Sequence, residues 1–207
     1  MKRLAALVVV GVVAVLPARE DNVGTVVTPV VPGTALAGAV QQAEYNARFT
    51  FTRIRYSGSY RFRRRGGSAW AHDYPQADLN LPSVLSEISR VRSTLGTSNV
   101  FDLEDRGFFK HPVIYLSEPG TWSITDEGAR NLRTYLLKGG FIIFDDFESP
   151  GGQWENFAEQ FLRAMPEYEF IELDVTHPIF HTFFDLQKLD TPHPLVNVIP
   201  IYYGVFE

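Results

Sequence analysis

The chain has no cysteine. That absence excludes a cysteine nucleophile, thiolate metal sites and disulfides, and it fits any redox compartment. An excess of positive charge is missing too. The 207 residues carry a net charge of −5 with a pI near 5.6, which argues against a general nucleic-acid binder. No Gly-x-Ser-x-Gly elbow presents a serine, so Ser117, which follows an apolar run, reads as structural. The sequence shows no internal repeat. What it does hold is ample for a packed core: 45 % apolar residues, 14 % aromatic. The length suits one domain plus a short leader.

The two ends are unusual. Met1-Lys2-Arg3 is a basic start, and Leu4 to Leu16 is apolar and uncharged. That run is too short for a comfortable membrane span and suits a signal-peptide core. Residues 1–18 are therefore expected to be a signal peptide or membrane anchor, placing the protein in the periplasm or on the membrane. Leu16-Pro17-Ala18 is a poor cleavage match; Ala35-Leu36-Ala37 is a better one but lies far downstream. Residues 19–47 read as a linker, and residues 1–45 are expected to pack against nothing. At the other end, Ile201 to Phe206 looks like a strand one residue before the chain stops, which suggests a truncated domain.

Between the ends, the most legible stretch runs from Thr125 to Gln153. Thr125 is a good N-cap, Asp126 and Glu127 suit the first turn, and Leu132, Tyr135 and Leu136 recur at helical spacing. Gly139 stops the helix. Phe141 to Phe144 is an unbroken apolar run, the pattern of a strand covered on both faces, and it ends in Asp145-Asp146. A second helix is expected over 152–165, with Trp154, Phe157, Phe161, Leu162 and Met165 on its apolar side. Strands are expected at 49–56, 99–103, 113–116, 169–173 and 201–206. A helix beginning near Asn80, with Pro82 in its first turn, should bury Leu81, Leu85, Ile88 and Leu95 before Gly96. Strand and helix alternate from residue 80 to 173, which implies a mainly parallel sheet with helices on both faces. The strands at 113–116 and 141–145 should be central.

In open α/β sheets, ligands bind outside the carboxyl ends of the strands. Asp145 and Asp146 are thus candidate catalytic or metal-binding carboxylates, one facing a pocket shared with the 70–75 loop, the other capping the next helix. The plainer reading makes both loop and cap carboxylates. His72 and Asp73, between Trp70 and Tyr74, are a candidate acid–base or ligand pair. His177 precedes a proline and is followed by His181. A zinc site there needs a third ligand from Asp145, Asp146 or Asp174; a His177 hydrogen-bonded in a turn is the simpler reading. Ser149-Pro150-Gly151-Gly152 would cradle an anion, but Asp145, Asp146 and Glu148 repel one. The arginine-rich run from Arg61 to Gly67 reads as a solvated loop.

Several pieces occur in a telling order: Phe51-Thr52-Arg53-Ile54-Arg55-Tyr56, then Trp70-Ala71-His72-Asp73-Tyr74-Pro75, then Gly139-Gly140-Phe141-Ile142-Ile143-Phe144-Asp145-Asp146, then His177-Pro178-Ile179-Phe180. Together they resemble the bacterial domain-of-unknown-function family 4159 over residues 48–207. That family is similar in fold to class I glutamine amidotransferases and ThuA-like proteins. The resemblance implies a flavodoxin-like three-layer sandwich. It brings no activity, and the amidotransferase triad has no cysteine here to occupy.

The expectation is a non-catalytic ligand-binding or interaction domain of the cell envelope, with Asp73, Asp146 and His177 as ligand contacts. The alternative is a metal-dependent hydrolase or carbohydrate-active enzyme using Asp145 or Asp146 with His72, His177 or both. Cofactor and partner are not legible beyond the exclusion of nucleic acid.

Overall fold

The computed structural model describes residues 8–14, 42–58, 68–149, 152–192 and 197–206, with side chains left out at 8–14 and 146–149. In chain order these form β1 (Val8–Ala14), β2 (Thr52–Arg55), β3 (Ser57–Gly58), α1 (Gln76–Ile88), β4 (Asn99–Asp102) and β5 (Val113–Ser117). Then come β6 (Trp122–Ser123), α2 (Asp126–Leu137), β7 (Phe141–Ser149), α3 (Gln153–Ala164), β8 (Ile171–Glu172) and β9 (Ile201–Val205). The main sheet has the order β4-β2-β5-β7-β1-β9-β8. Its β4-β2-β5-β7 part is all parallel. β9 is antiparallel to both its neighbours. Helices flank the parallel strands on both faces, giving the three-layer flavodoxin-like sandwich.

Strand alternation gives the sheet two unlike faces. Ile114 stands beside Ile142 and Leu116 beside Phe144. With Ile54 and Phe101 they form a first face, all buried. α2 covers it with Leu132, Tyr135 and Leu136, and α3 with Phe157 and Phe161. The Phe144 ring lies 4.8 Å from Phe157 and 5.8 Å from Phe161, edge-on to both. Gly140 is required by packing, because a Cβ there would sit 2.4 Å from the Tyr135 ring. Thr125 caps α2 as expected, accepting from Gly128 N at 3.0 Å.

The second face carries Phe51, Arg53, Tyr115, Ile143 and Asp145, by the register of Arg53 with Tyr115 and of Tyr115 with Ile143. α1 and the 68–75 loop lie over it. Here the sequence misleads. α1 begins at Gln76, so Asn80 and Pro82 are inside it, and its buried residues are Asp78 and Pro82. Leu81, Ile88 and the following Leu95, expected in the core, are exposed. A buried ion pair, rather than a leucine stripe, fixes this helix.

Two further expectations change. β7 does not end at Asp145-Asp146 but continues to Ser149, because β1 pairs with its second half, Val12 with Phe147 and Ala14 with Ser149. Residues 1–45 therefore do pack in part. Val8–Ala14 lies in the sheet, Gln42 Nε2 donates to Val100 O at 3.0 Å, and Ala43 N donates to Asn99 Oδ1 at 2.8 Å. The remaining leader and linker, with both cleavage candidates, lie outside the described residues, as does the arginine-rich loop.

Candidate functional site

The chain leaves β2 through α1 to β4 on one side, then passes from β4 to β5 on the other side of β2. Such a reversal opens a crevice outside the carboxyl ends of the two strands that flank it, here β2 and β5. Tyr56 follows β2, and Glu118 follows β5. The Tyr56 hydroxyl donates to Ser117 O at 3.1 Å and to Glu118 O at 2.5 Å. Glu118 N donates to Asp145 O at 2.7 Å. The ends of β2 and β5 are thereby tied to each other and to the middle of β7.

The 68–75 loop hangs over this crevice. His72 Nδ1 lies 3.5 Å from Glu118 Oε1, and Nε2 lies 3.7 Å from Asp73 Oδ1. Both spacings are long for direct hydrogen bonds. Glu118 (φ 48°) and Asp73 (φ 55°) are both left-handed and neither is glycine. Each such residue costs about 1–3 kcal/mol and tends to mark a site where geometry is imposed.

Beside the crevice is a cleft of about 410 Å³, lined by Arg55, Tyr56, Trp70, Asp102, Glu104 and Thr125 among others. Arg55 grips Asp102 with both arms, Nε at 2.8 Å and Nη2 at 2.6 Å. The hydrogen bond to Asp102 holds the guanidinium pKa above its ordinary value against partial desolvation. Both side chains remain nearly half exposed, so they face solvent and any occupant. The Thr125 hydroxyl donates to the Glu104 carboxylate, so the cap of α2 is also a wall of the cleft. The short β3–β6 ladder stands next to it through Ser57 and Ser123.

Under the loop lies a polar network. Arg53 and Asp78 are both fully buried. Arg53 Nε donates to the Asp78 carboxylate at 2.9 and 3.2 Å, and Nη2 bonds it too. Nη1 donates to Trp70 O at 3.0 Å and to His72 O at 3.1 Å. The guanidinium lies 5.0 Å from the centre of the Tyr115 ring. The Tyr115 hydroxyl donates to Asp145 Oδ2 at 3.0 Å. Burial first, then the Asp145 charge, pushes this phenol far above its ordinary range, so it stays a protonated donor.

The expected residues are thus divided. His72, Asp73 and Asp145 gather around β2, β5 and β7. Asp145 does not line the cleft with Trp70; its carboxylate is on the second face, beside Tyr115. Asp146 is in β7, one residue on; its side chain lies outside the described residues. α3 starts at Gln153, and its N-cap Gly152 (φ 78°) supplies no side-chain cap. His177 is elsewhere, after β8 at the far edge of the sheet. Its Nδ1 accepts from Ile179 N at 3.3 Å and its ring stacks on Phe206, the turn role expected of it. His181 bonds Asp185 at 2.5 Å and Val175 O at 2.7 Å, so it makes no pair with His177. Among the described residues, no three His, Asp or Glu side chains are grouped to hold a metal. Ser117 is buried, as its structural reading requires.

Sequence reasoning missed Arg53, Asp78, Arg55, Asp102, Tyr115 and Glu118. One signal was there: Arg53 and Arg55 alternate with Thr52 and Ile54 in the first parallel strand, where a charge needs a partner. A family model described as a domain of unknown function (DUF4159) matches residues 50–200. No curated protein matches the chain.

Proposed function

We propose that this chain, which belongs to the DUF4159 family, is a ligand-binding or interaction domain of the bacterial cell envelope. Its scaffold is amidotransferase-like without the nucleophile, and its ligand sits at the carboxyl edge of β2, β4 and β5. The basic start and apolar run at the N-terminus support export. The observation that carries the site is the cleft beside the β2/β5 reversal, with an aromatic wall at Trp70 and the half-exposed Arg55–Asp102 pair. Such concave sites with few convergent polar groups are where small ligands bind. The alternative, a metal-dependent hydrolase using Asp145 or Asp146 with His72, His177 or both, gains no support: among the described residues no three His, Asp or Glu side chains are grouped to hold a metal.

A thermal-shift screen of the purified protein against a small-molecule panel tests the reading. A true ligand raises Tm in the parent and loses at least tenfold in affinity in both Arg55→Ala and Glu104→Gln. Hits that bind both variants as tightly as the parent overturn the site. Fractionation of cells expressing the full chain tests export; recovery in the cytoplasm alone, starting at Met1, overturns it.

A further inference from the structure

The Arg53–Asp78 pair has more to do than hold a helix. A buried ion pair is weak evidence for stability, since desolvation of both charges offsets most of their attraction, and apolar residues of similar size commonly replace such pairs without loss. What an apolar pair cannot replace is the third arm. Arg53 Nη1 reaches two main-chain carbonyls, Trp70 O and His72 O, which belong to the loop that supplies Trp70 to the cleft and His72 to the crevice. Two residues apart, these carbonyls belong to the middle of the turn Ala69–Ala71 and to its C-cap, His72. The loop has few apolar anchors of its own: Ala69 is buried, Trp70, Ala71, His72 and Tyr74 are only half-buried, and Asp73 is exposed.

We infer that Arg53 is the positioning residue of the site: its guanidinium, itself oriented by Asp78, sets the backbone of the 70–72 turn and with it the places of Trp70 and His72. The planar fork makes this possible. Nε and Nη2 are committed to one carboxylate, which fixes the plane, and Nη1 is then aimed at the carbonyls. Tyr115 lies 5.0 Å from the guanidinium carbon and completes the seat. That the site holds a ligand rests on the function proposed above; that Arg53 positions the loop does not.

Hydrogen exchange on the full chain separates the two. The double variant R53M/D78L replaces the pair with apolar side chains and removes both charges together. It is expected to keep the exchange protection of α1, α2 and α3. The amides of Ala71, His72 and Tyr74, which close the turn onto Ser68, Ala69 and Ala71, should exchange at least tenfold faster. A merely structural pair would change protection everywhere or nowhere. Unchanged protection at 71–74, or an equal loss in α2 and α3, overturns the inference. Should the double variant not fold, R53K carries the same expectation, because one ammonium on Asp78 cannot also serve both carbonyls. Loss of loop protection with unchanged binding of a validated ligand would leave the positioning intact and remove the cleft from the proposed function.

Discussion

The two faces of the sheet are held by different physics. On the first, Ile54, Ile114, Leu116, Ile142 and Phe144 meet Leu132, Leu136, Phe157 and Phe161, and every one of these side chains is buried. On the second, a guanidinium, a carboxylate and a phenol lie under α1, whose Val84 and Ile88 are each 48 % exposed. The first face is anchored by area and shape, which tolerate no special geometry beyond close packing. The second is anchored by directed hydrogen bonds, which fix orientation more than they add stability. The cleft-lining loop belongs to the second. A site that must hold backbone atoms in place is served better by a fork of donors than by a patch of leucines.

The largest expected effect lies on the first face. Phe157→Ala removes a ring that touches Trp122, Phe144, Trp154, Phe161 and Phe170, and is expected to cost about 3–5 kcal/mol of unfolding free energy. Val84→Ser on α1, an apolar-to-polar change at an exposed position, is expected to stay within about 0.5 kcal/mol. Urea denaturation measures both. Similar losses for the two variants would abolish the contrast between the faces.

A smaller loss is expected where one charge of the second face is removed. Asp78→Ala leaves Arg53 buried with the Trp70 and His72 carbonyls as hydrogen-bond acceptors and no counter-charge from Asp78. The cost is placed at about 3 kcal/mol, the low end for a broken buried pair, because those two acceptors remain. R53M/D78L should recover most of it. A single-variant loss below about 1 kcal/mol would mean that water already reaches the guanidinium.

Legibility follows the same division. Thr125, the Leu132–Leu136 stripe, Gly139 and the Phe141–Phe144 run gave α2 and the start of β7 nearly to the residue, because area and periodicity are local signals. α1 was misread for a physical reason. Leu81, Leu85 and Ile88 have helical spacing, yet the helix is turned so that Asp78 and Pro82 face the sheet, and only the distant Arg53 explains that turn. The end of β7 was misread because Asp145-Asp146 look like a strand end, while a partner strand extends the ladder past them. Around the crevice, His72, Asp73 and Asp145 were singled out from residue type and strand position. Glu118, Arg55 and Asp102 were not, because they meet only through the crossover that brings β2, β4 and β5 side by side.

The last comparison concerns charge. The second face houses ions; the first should refuse them, and His111 at its edge tests this. The imidazole is buried against Phe101, with Tyr45 edge-on. Asn99 fixes its state: Oδ1 accepts from Ala43 N, so Nδ2 is turned toward His111 Nε2 at 3.2 Å and donates to it. An accepting Nε2 carries no proton. Burial first, then nearby Lys110, lowers the pKa below its ordinary value. The unfolded chain, with a histidine pKa of about 6.5, takes up a proton before the folded one does. The contribution of His111 is therefore fully present above that value and is lost as pH falls through the depressed folded pKa. Urea denaturation of the parent and of His111→Gln, which cannot charge, should show the parent losing ground to the variant as pH falls through the unfolded histidine value of about 6.5. The effect is the smallest of the three because no side chain or hydrogen bond is lost above that value. Parallel stability curves, or an NMR titration of His111 above the ordinary histidine value, would mean that the first face admits charge as the second does.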